Sequence, residues 1–373
     1  MEFKLIIKKL NKTITTDEEI IFSKWYHKSN SHKDYFDSVK KNYNTDIDRI
    51  DIEKGWLAIQ NNLKINKRKN NYWKYAVAAS IVLLISINFI FNKKVDKPTI
   101  VDNNVNIEVG TDKATLTLGD GTDIILEKGQ QYVSDNVESN GEEIIYKSAN
   151  KSKSEIVFNY LTIPRGGEYH MKLSDGTEVW LNSESQLKFP VSFVDGETRQ
   201  VELIYGEAYF DVSPSTEHKG AKFKVFNNAQ EVEVLGTEFN IKAYKDETNI
   251  YTTLVEGKVT VSFEDRKQKL VPNQQSIMDI NTNIVSIATV DVYNEISWKE
   301  GIFSFDEKSL KEIMKVLSRW YNMDVVFLNK TVEDEKFIGV LGKDQKIEDI
   351  LSSIKNFGII KDYKINEKTV VLK

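Results

Sequence analysis

Eighteen consecutive residues, Tyr75 to Asn92 (YAVAASIVLLISINFIFN), carry no charge, and lysines close the run at both ends, Lys74 and Lys93. No other stretch restricts the chain as strongly. As a helix rising about 1.5 Å per residue it reaches roughly 27 Å, enough to cover the hydrocarbon core of a bilayer. Ser80, Ser86 and Asn88 dilute its apolarity, but Tyr72, Trp73 and Tyr75 gather at one end, as interfacial aromatics do. A buried core helix would show an apolar stripe, and that periodicity is missing. A cleaved export signal would begin near residue 1. The run is therefore read as one transmembrane helix. Lys64, Lys67, Arg68, Lys69 and Lys74 on one flank outnumber Lys93, Lys94 and Lys97 on the other, so the N-terminus is expected in the cytoplasm.

The span divides the 373 residues unequally, and the charge divides with it. Residues 1–74 carry a net charge of +6 and the remainder −11, beneath an overall −5. Two environments or two kinds of partner are implied, although a basic membrane flank alone would also produce the split. There is no cysteine, which excludes disulfides, thiolate metal sites and a cysteine nucleophile.

Residues 1–70 read as a small all-α head of four short helices. The first covers Phe3–Leu10. The second opens with Thr16 and Glu19 spaced as a capping box. The third carries Tyr35, Phe36, Val39 and Tyr43 at helical spacing, and the fourth carries Ile50, Trp56 and Leu63. A head this small buries little surface by itself. Trp25, Tyr35, Phe36 and Trp56 are candidate partner-binding residues, although simple core packing suits Trp25 and Trp56 better. No helix-turn-helix spacing stands out, and most of the basic charge lies beside the span, so direct nucleic-acid contact is not expected.

A polar linker, 93–106, leads into a β-rich region at 107–290. Asp120-Gly121 and Asp175-Gly176 each sit between alternating runs, Ala114–Leu118 with Thr122–Leu126 and His170–Leu173 with Thr177–Leu181, and predict two hairpins. LGDGTDIIL (118–126) also aligns with LSDGTEVWL (173–181), which suggests a repeated β unit. Further strands are expected at Gln200–Ile204, Ala208–Val212, Lys222–Phe226, Glu231–Leu235, Phe239–Tyr244, Ile250–Val255 and Lys258–Phe263. The Ser-, Asn-, Lys- and Glu-rich stretch 127–155 is expected to include a mobile loop. Residues 296–373 switch to a βαββαββ order, with a capping box at Ser309 and Glu312 and a second helix from about Asp344. The fold class expected is multidomain α+β: an all-α head, one transmembrane helix, an all-β domain and a C-terminal βαββαββ module.

Catalytic signals are sparse. His27, His32, His170 and His218 have no metal-ligand spacing to one another, and neither a phosphate-binding glycine loop nor a nucleophile elbow is present. No metal or cofactor is expected. Arg165-Gly166-Gly167 suits a tight turn better than an anion site. Gly236-Thr237 lies between two expected strands; a hydroxyl directly after an uncrowded glycine carbonyl can attack it and cleave the chain once. From spacing alone the turn reading prevails there. Trp180, Phe189, Phe193, Tyr205 and Tyr209 would suit a membrane-anchored glycan-binding protein, although they alternate with polar residues as core positions do.

The strings PRGGEYHMKLSDGTEVWLNSES (164–185), GEAYFDV (206–212), VLGTEFNIKAY (234–244), TTLVEGKV (252–259), WKEGIFSF and LSRWYNMDVVF (298–327) resemble the FecR family of membrane anti-sigma factors, in the form abundant in Bacteroidetes. The resemblance is strong from about residue 110 onward and looser over 1–70, where it rests on DEEIIFSKWYHKSNS and a downstream tryptophan. It implies a head that sequesters an extracytoplasmic-function sigma factor through Trp25, Tyr35, Phe36 and Trp56. It also implies a periplasmic FecR domain that senses the signalling domain of a TonB-dependent outer-membrane transporter. The last module resembles the small secretin/TonB N-terminal fold, with Trp320, Tyr321 and Phe337 as docking residues. Release of sigma would follow proteolysis, including by an intramembrane protease, at the inner (cytoplasmic) membrane. Some relatives cleave themselves at the Gly-Thr matching Gly236-Thr237.

Overall fold

The computed structural model describes residues 8–10, 12, 14–28, 33, 36, 40, 107–134, 137–147, 156–227 and 229–373. From residue 107 onward these form one unit, and the N-terminal residues belong to another. In the N-terminal unit, helix α1 (Thr16–Lys28) buries Phe22 and Trp25 among Leu10, Ile14, Tyr26 and Phe36.

The first strands of the larger unit are β1 (Thr111–Thr117), β2 (Asp123–Glu127), β3 (Tyr132–Val133), β4 (Val137–Ser139), β5 (Glu143–Tyr146), β6 (Phe158–Ile163), β7 (Gly167–Lys172), β8 (Glu178–Leu181) and β9 (Ser185–Pro190). Then follow β10 (Arg199–Asp211), β11 (Phe223–Asn227), β12 (Gln230–Val234), β13 (Glu238–Ala243), β14 (Asn249–Glu256), β15 (Val259–Phe263), β16 (Arg266–Leu270), β17 (Gln274–Asp279) and β18 (Ile284–Thr289). Together they form one continuous 18-stranded network.

Strand β10 is its spine. Its first half pairs with β9 and, in parallel, with β11; its second half pairs with β8 and β13. The change of partners falls at a register shift after Leu203 and at Gly206, whose φ of +101° brings the backbone against Ser185. A side chain there would place Cβ 2.2 Å from Ser185 Oγ, so only glycine fits. The strand thereby carries the chain from one layer to the other. Alternate residues of both layers, such as Leu116, Leu187 and Leu203 with Val179, Phe210 and Ile241, meet in one core.

The two Asp-Gly hairpins form with the same hydrogen bonds. Gly121 N–H donates to Leu118 O and Leu118 N–H to Thr122 O, both at 2.9 Å; Gly176 and Leu173 repeat the pair at 2.9 Å with Leu173 O and Thr177 O. In each, the aspartate accepts from the threonine N–H two residues on, at 2.9 and 3.0 Å. Asp175 alone is buried, paired with Arg199 at 2.7 Å.

After helix α2 (Val292–Ile296) and a 3-10 turn at Ser297–Glu300 come β19 (Ile302–Ser309), α3 (Leu310–Trp320), β20 (Asp324–Phe327), β21 (Lys336–Gly342), α4 (Ile347–Asn356), β22 (Tyr363–Asn366) and β23 (Thr369–Leu372). β19 pairs with β21, and β23 lies between β20 and β22. The Ser309–Glu312 capping box starts α3. Its face of Leu310, Ile313, Met314 and Leu317 packs with Ile347, Ile350, Leu351 and Ile354 of α4 over these strands.

The multidomain α+β architecture expected from the sequence, with an all-α head and a transmembrane helix, is corrected. The chain is mostly β, with 23 strands and four α-helices among the described residues, and the β body and C-terminal segment share one unit. No helix among the described residues is long and apolar enough to cross a membrane. The run 75–92, the linker 93–106 and the fourth expected head helix lie outside the described residues. The strands expected separately at 200–204 and 208–212 are one, because Gly206 bends the strand without ending it. The stretch expected to include a mobile loop at 127–155 contains β3, β4 and β5, although 135–136 and 148–155 lie outside the described residues.

Candidate functional site: a cationic seam between body and module

Helix α3 turns its apolar face to the module core and presents Lys315 and Arg319, one turn apart, to the β13–β14 loop. Arg319 is 4% exposed. Its Nη1 donates to Glu247 Oε1 at 2.9 Å and its Nη2 to Asp246 Oδ1 at 2.5 Å, while the guanidinium carbon lies 3.5 Å from the centre of the Tyr244 ring. Nε lies 3.4 Å from Glu184 Oε2 without hydrogen-bond alignment. Lys315 adds a 3.0 Å contact to Asp246, and Lys242 a 3.1 Å contact to Glu247. Burial alone would lower the Arg319 pKa, but Tyr244, Glu247 and Asp246 reverse the effect and hold it charged. Burial pushes the Tyr244 hydroxyl well above its ordinary value, with Glu207 adding to the effect. Asp246 resists burial through hydrogen bonds and charge from Lys315 and Arg319, and stays below the ordinary aspartate value.

Arg165, on the turn after β6, closes the same seam from the body. Its Nη2 donates to Ser318 O at 2.9 Å and Met323 O at 2.5 Å, and Gly166 N–H donates to Arg319 O at 2.7 Å. The last carbonyls of α3, which a helix leaves without internal partners, are thus met by a cation and an amide of the body. The Arg165-Gly166-Gly167 motif is a helix-holding turn.

Lys343, just after β21, is the third fastening. Its ammonium is buried against Glu168 at 2.5 Å and lies 3.8 Å from the centre of the Trp320 ring. Burial pushes Lys343 down and Glu168 up, each against the pull of the other. Trp320 packs on Gly110, where a Cβ would come within 2.6 Å of the ring. Lys299 makes the fourth contact, 4.5 Å from the centre of the Tyr209 ring and 5.3 Å from that of Trp180.

The residues singled out from sequence are distributed differently. Trp320 and Tyr321 lie in the module core, with Trp320 Nε1 donating to Lys343 O at 2.9 Å and Tyr321 Oη to Gln345 O at 2.6 Å. Phe337 is half-buried beside them. The module's exposed apolar side chains are instead Val326, Leu328, Ile338 and Phe357. In the N-terminal unit Trp25 is buried and Phe36 meets Phe22 with ring centres 5.2 Å apart; Tyr35 and Trp56 lie outside the described residues. Phe189 and Tyr209 are buried, and Lys299 and Lys245 lie over Trp180 and Tyr205, leaving none of these four as an open platform for a sugar. Thr237 is 6% exposed, and its Oγ1 donates to Lys258 O at 3.1 Å. Gly257 faces both that hydroxyl and Gly236 O: a Cβ on it would lie 2.8 and 3.0 Å from them.

Arg319 and Lys343 escaped the sequence reading, and Arg165 was read only as part of a turn. One signal was available. Beyond residue 106 arginine occurs only at 165, 199, 266 and 319 in a lysine-rich chain, and three of the four anchor buried or half-buried contacts.

Body, seam and module together define a class of protein, a two-part scaffold whose second part is fastened to the first by buried and half-buried cations. Residues 159–260 match the family described as FecR protein, and residues 302–372 match that described as FecR, C-terminal. The fold is similar to two crystal structures of a proposed anti-sigma factor from Parabacteroides distasonis, at 1.65 and 2.50 Å resolution. The first is 28% identical over 57% of this chain and 98% of that one, with a TM-score of 0.51. The second is 27% identical over 58% and 98%, with a TM-score of 0.51. No curated protein matches the chain. The chain thus carries a stretch matching the FecR protein model and, after it, one matching the FecR C-terminal model.

Proposed function

We propose that this protein is a sigma regulator: an anti-sigma factor that sequesters an extracytoplasmic-function sigma factor through its N-terminal residues and releases it when the β body and module receive a signal. The observation that carries the reading is the pair of FecR domains joined in one unit that resembles an anti-sigma factor structure. Co-expression of the full chain with the sigma factor encoded beside it is the test. Co-purification as a stable complex is expected; separate elution at low salt would overturn it.

The signal in this reading is the signalling domain of a TonB-dependent outer-membrane transporter. Exposed Val326 and Leu328 on and beside the edge strand β20, and Ile338 on β21, supply apolar contacts and unpaired backbone edges for it. Docking there loosens the Arg319 seam, and proteolysis, ending with an intramembrane protease, makes release irreversible. Location at the inner membrane, N-terminus in the cytoplasm and body in the periplasm, belongs to the same proposal and is supported by the opposite net charges of residues 1–74 and the remainder. A reporter enzyme that works only outside the cytoplasm, fused after Lys373, should be active; silence there with activity inside would reverse the orientation.

One-time cleavage at Gly236-Thr237 is a second element, favoured by the placement of the Thr237 hydroxyl and Gly236 carbonyl against the same Gly257. Oγ1 would bond to the Gly236 carbonyl carbon, the C–N bond would break with its nitrogen taking the proton, and water would then split the ester into a Gly236 carboxylate and a free Thr237.

A further inference from the structure

One layer of the β body runs in the order β2, β1, β6, β9, β10, β11, β12, β15, β16. Among the described residues its outermost strands pair on one side only, β2 with β1 and β16 with β15. An open strand edge is a template for another strand, and proteins normally guard it with charge. Here the two guards have opposite sign. Arg266, Lys267 and Lys269 are exposed along β16, whereas β2 exposes Asp123 and Glu127 on either side of Ile125, itself 60% exposed.

Four of these charges share a face. Asp123 and Glu127 stand opposite Thr117 and Lys113, and Lys267 and Lys269 opposite Ser262 and Thr260, alternating with the inward Leu126, Leu116, Val261 and Val259. Among the described residues none of the four is in an ion pair; Asp123 accepts the Thr117 hydroxyl at 2.6 Å, and Lys113 makes no ion pair with Glu127. Strand direction is an independent observation. Every neighbouring pair in the layer is antiparallel except β10 with β11, which leaves an odd number of reversals from edge to edge, so β16 runs against β2. Two copies side by side in the same orientation therefore bring β16 of one antiparallel to β2 of the next. Their outer faces then lie on the same side, and neither apolar face turns to water.

Opposite charge and opposite direction thus coincide on two edges of one layer. We propose that β16 docks on β2 of a second copy of this chain and extends the layer head to tail from molecule to molecule. Lys267 and Lys269 face the edge of Asp123 and Glu127, and Ile125 and Val271, the latter 56% exposed just beyond β16, add apolar contact. Glu264 and Asp265, in the turn before β16, come to the end of β2, where Lys128 follows while also serving Glu142 at 3.0 Å. Pairing of like edges is opposed: β16 with β16 sets lysines against lysines, and β2 with β2 sets acids against acids. The contact is therefore heterologous and builds a row or a ring of molecules instead of a symmetric dimer. The inference does not depend on sigma regulation, because it concerns association of the chain with itself.

The chain has no cysteine, so introduced thiols report the contact directly. Ile125→Cys and Lys269→Cys are made in separate full-length chains, purified in detergent and oxidised with copper phenanthroline, alone and mixed. The mixture should give at least tenfold more disulfide-linked dimer than either variant alone. In sedimentation, the unaltered chain should gain mass with concentration. Lys267→Glu combined with Lys269→Glu should weaken that association at least tenfold. Adding Asp123→Lys and Glu127→Lys to the same chain should restore it, which a damaged fold would not allow. Equal cross-linking in the single-variant samples, a monomer mass independent of concentration, or no rescue by the fourfold exchange would overturn the proposal.

Discussion

Arg319 concentrates the argument at the scale of single residues. A lysine could neutralise Glu247 or Asp246, but it could not meet both while lying flat on Tyr244. Removing one member of a buried ion pair costs about 3–5 kcal/mol. Arg319→Ala should fall near the lower end, about 3 kcal/mol in urea unfolding, because Lys315 and Lys242 still serve the two acids. A loss below about 1 kcal/mol would mean that the seam is ornamental, since surface pairs contribute that little. Asp246 adds a pH dependence. Its folded pKa is below the ordinary 3.8, so the folded chain binds fewer protons there than the unfolded chain, and stability rises with pH. That contribution is present above 3.8 and is lost as pH falls below it through the folded value. Asp246→Asn should flatten the acid limb of a stability–pH curve, and an unchanged limb would contradict the assignment. Thr237→Ala should leave one full-length band on a denaturing gel where the native chain gives two; two bands from the variant would exclude Thr237 as the nucleophile. The Asp-Gly turns were legible because their hydrogen bonds lie within four residues. Arg319 was not, because its partners Glu247 and Asp246 are 72 and 73 residues away.

At the scale of elements, alternation and capping spoke clearly and connection did not. The helix after Ser309 and the strands around it follow from local signals, a capping box and a 3.6-residue stripe. The joining of 200–204 to 208–212 depends on how closely Gly206 approaches Ser185, which no local pattern records. Gly206→Val should therefore destabilise strongly, by more than about 3 kcal/mol, since it adds both a positive-φ strain and a clash in a packed strand. Urea unfolding checks this, and a cost under about 1 kcal/mol would show that the bend is not needed. The burial of Trp320 and Tyr321 was not legible for a related reason. Trp320 and Tyr321 end an amphipathic helix, and large aromatics there complete a core before they meet a partner. The exposed edge at Val326, Leu328 and Ile338 is a property of which strands pair, known only once β20 and β21 are found at sheet margins.

At the scale of the molecule, the body and module act as one piece because the fastenings link residues far apart in the chain, Arg165 with Ser318 and Lys343 with Glu168. A signal received by the module must therefore alter the body or break the seam. The account places the regulatory step at the seam, so opening it by mutation should replace the signal. The direct measurement is a sigma-dependent transcriptional reporter in cells lacking the transporter, with the amount of regulator followed by immunoblot. The account predicts that Arg319→Ala switches the reporter on and that the regulator is found in the cleaved form that signalling produces from the unaltered chain. A silent reporter, with the variant present and its module demonstrably loosened by limited proteolysis, would contradict it.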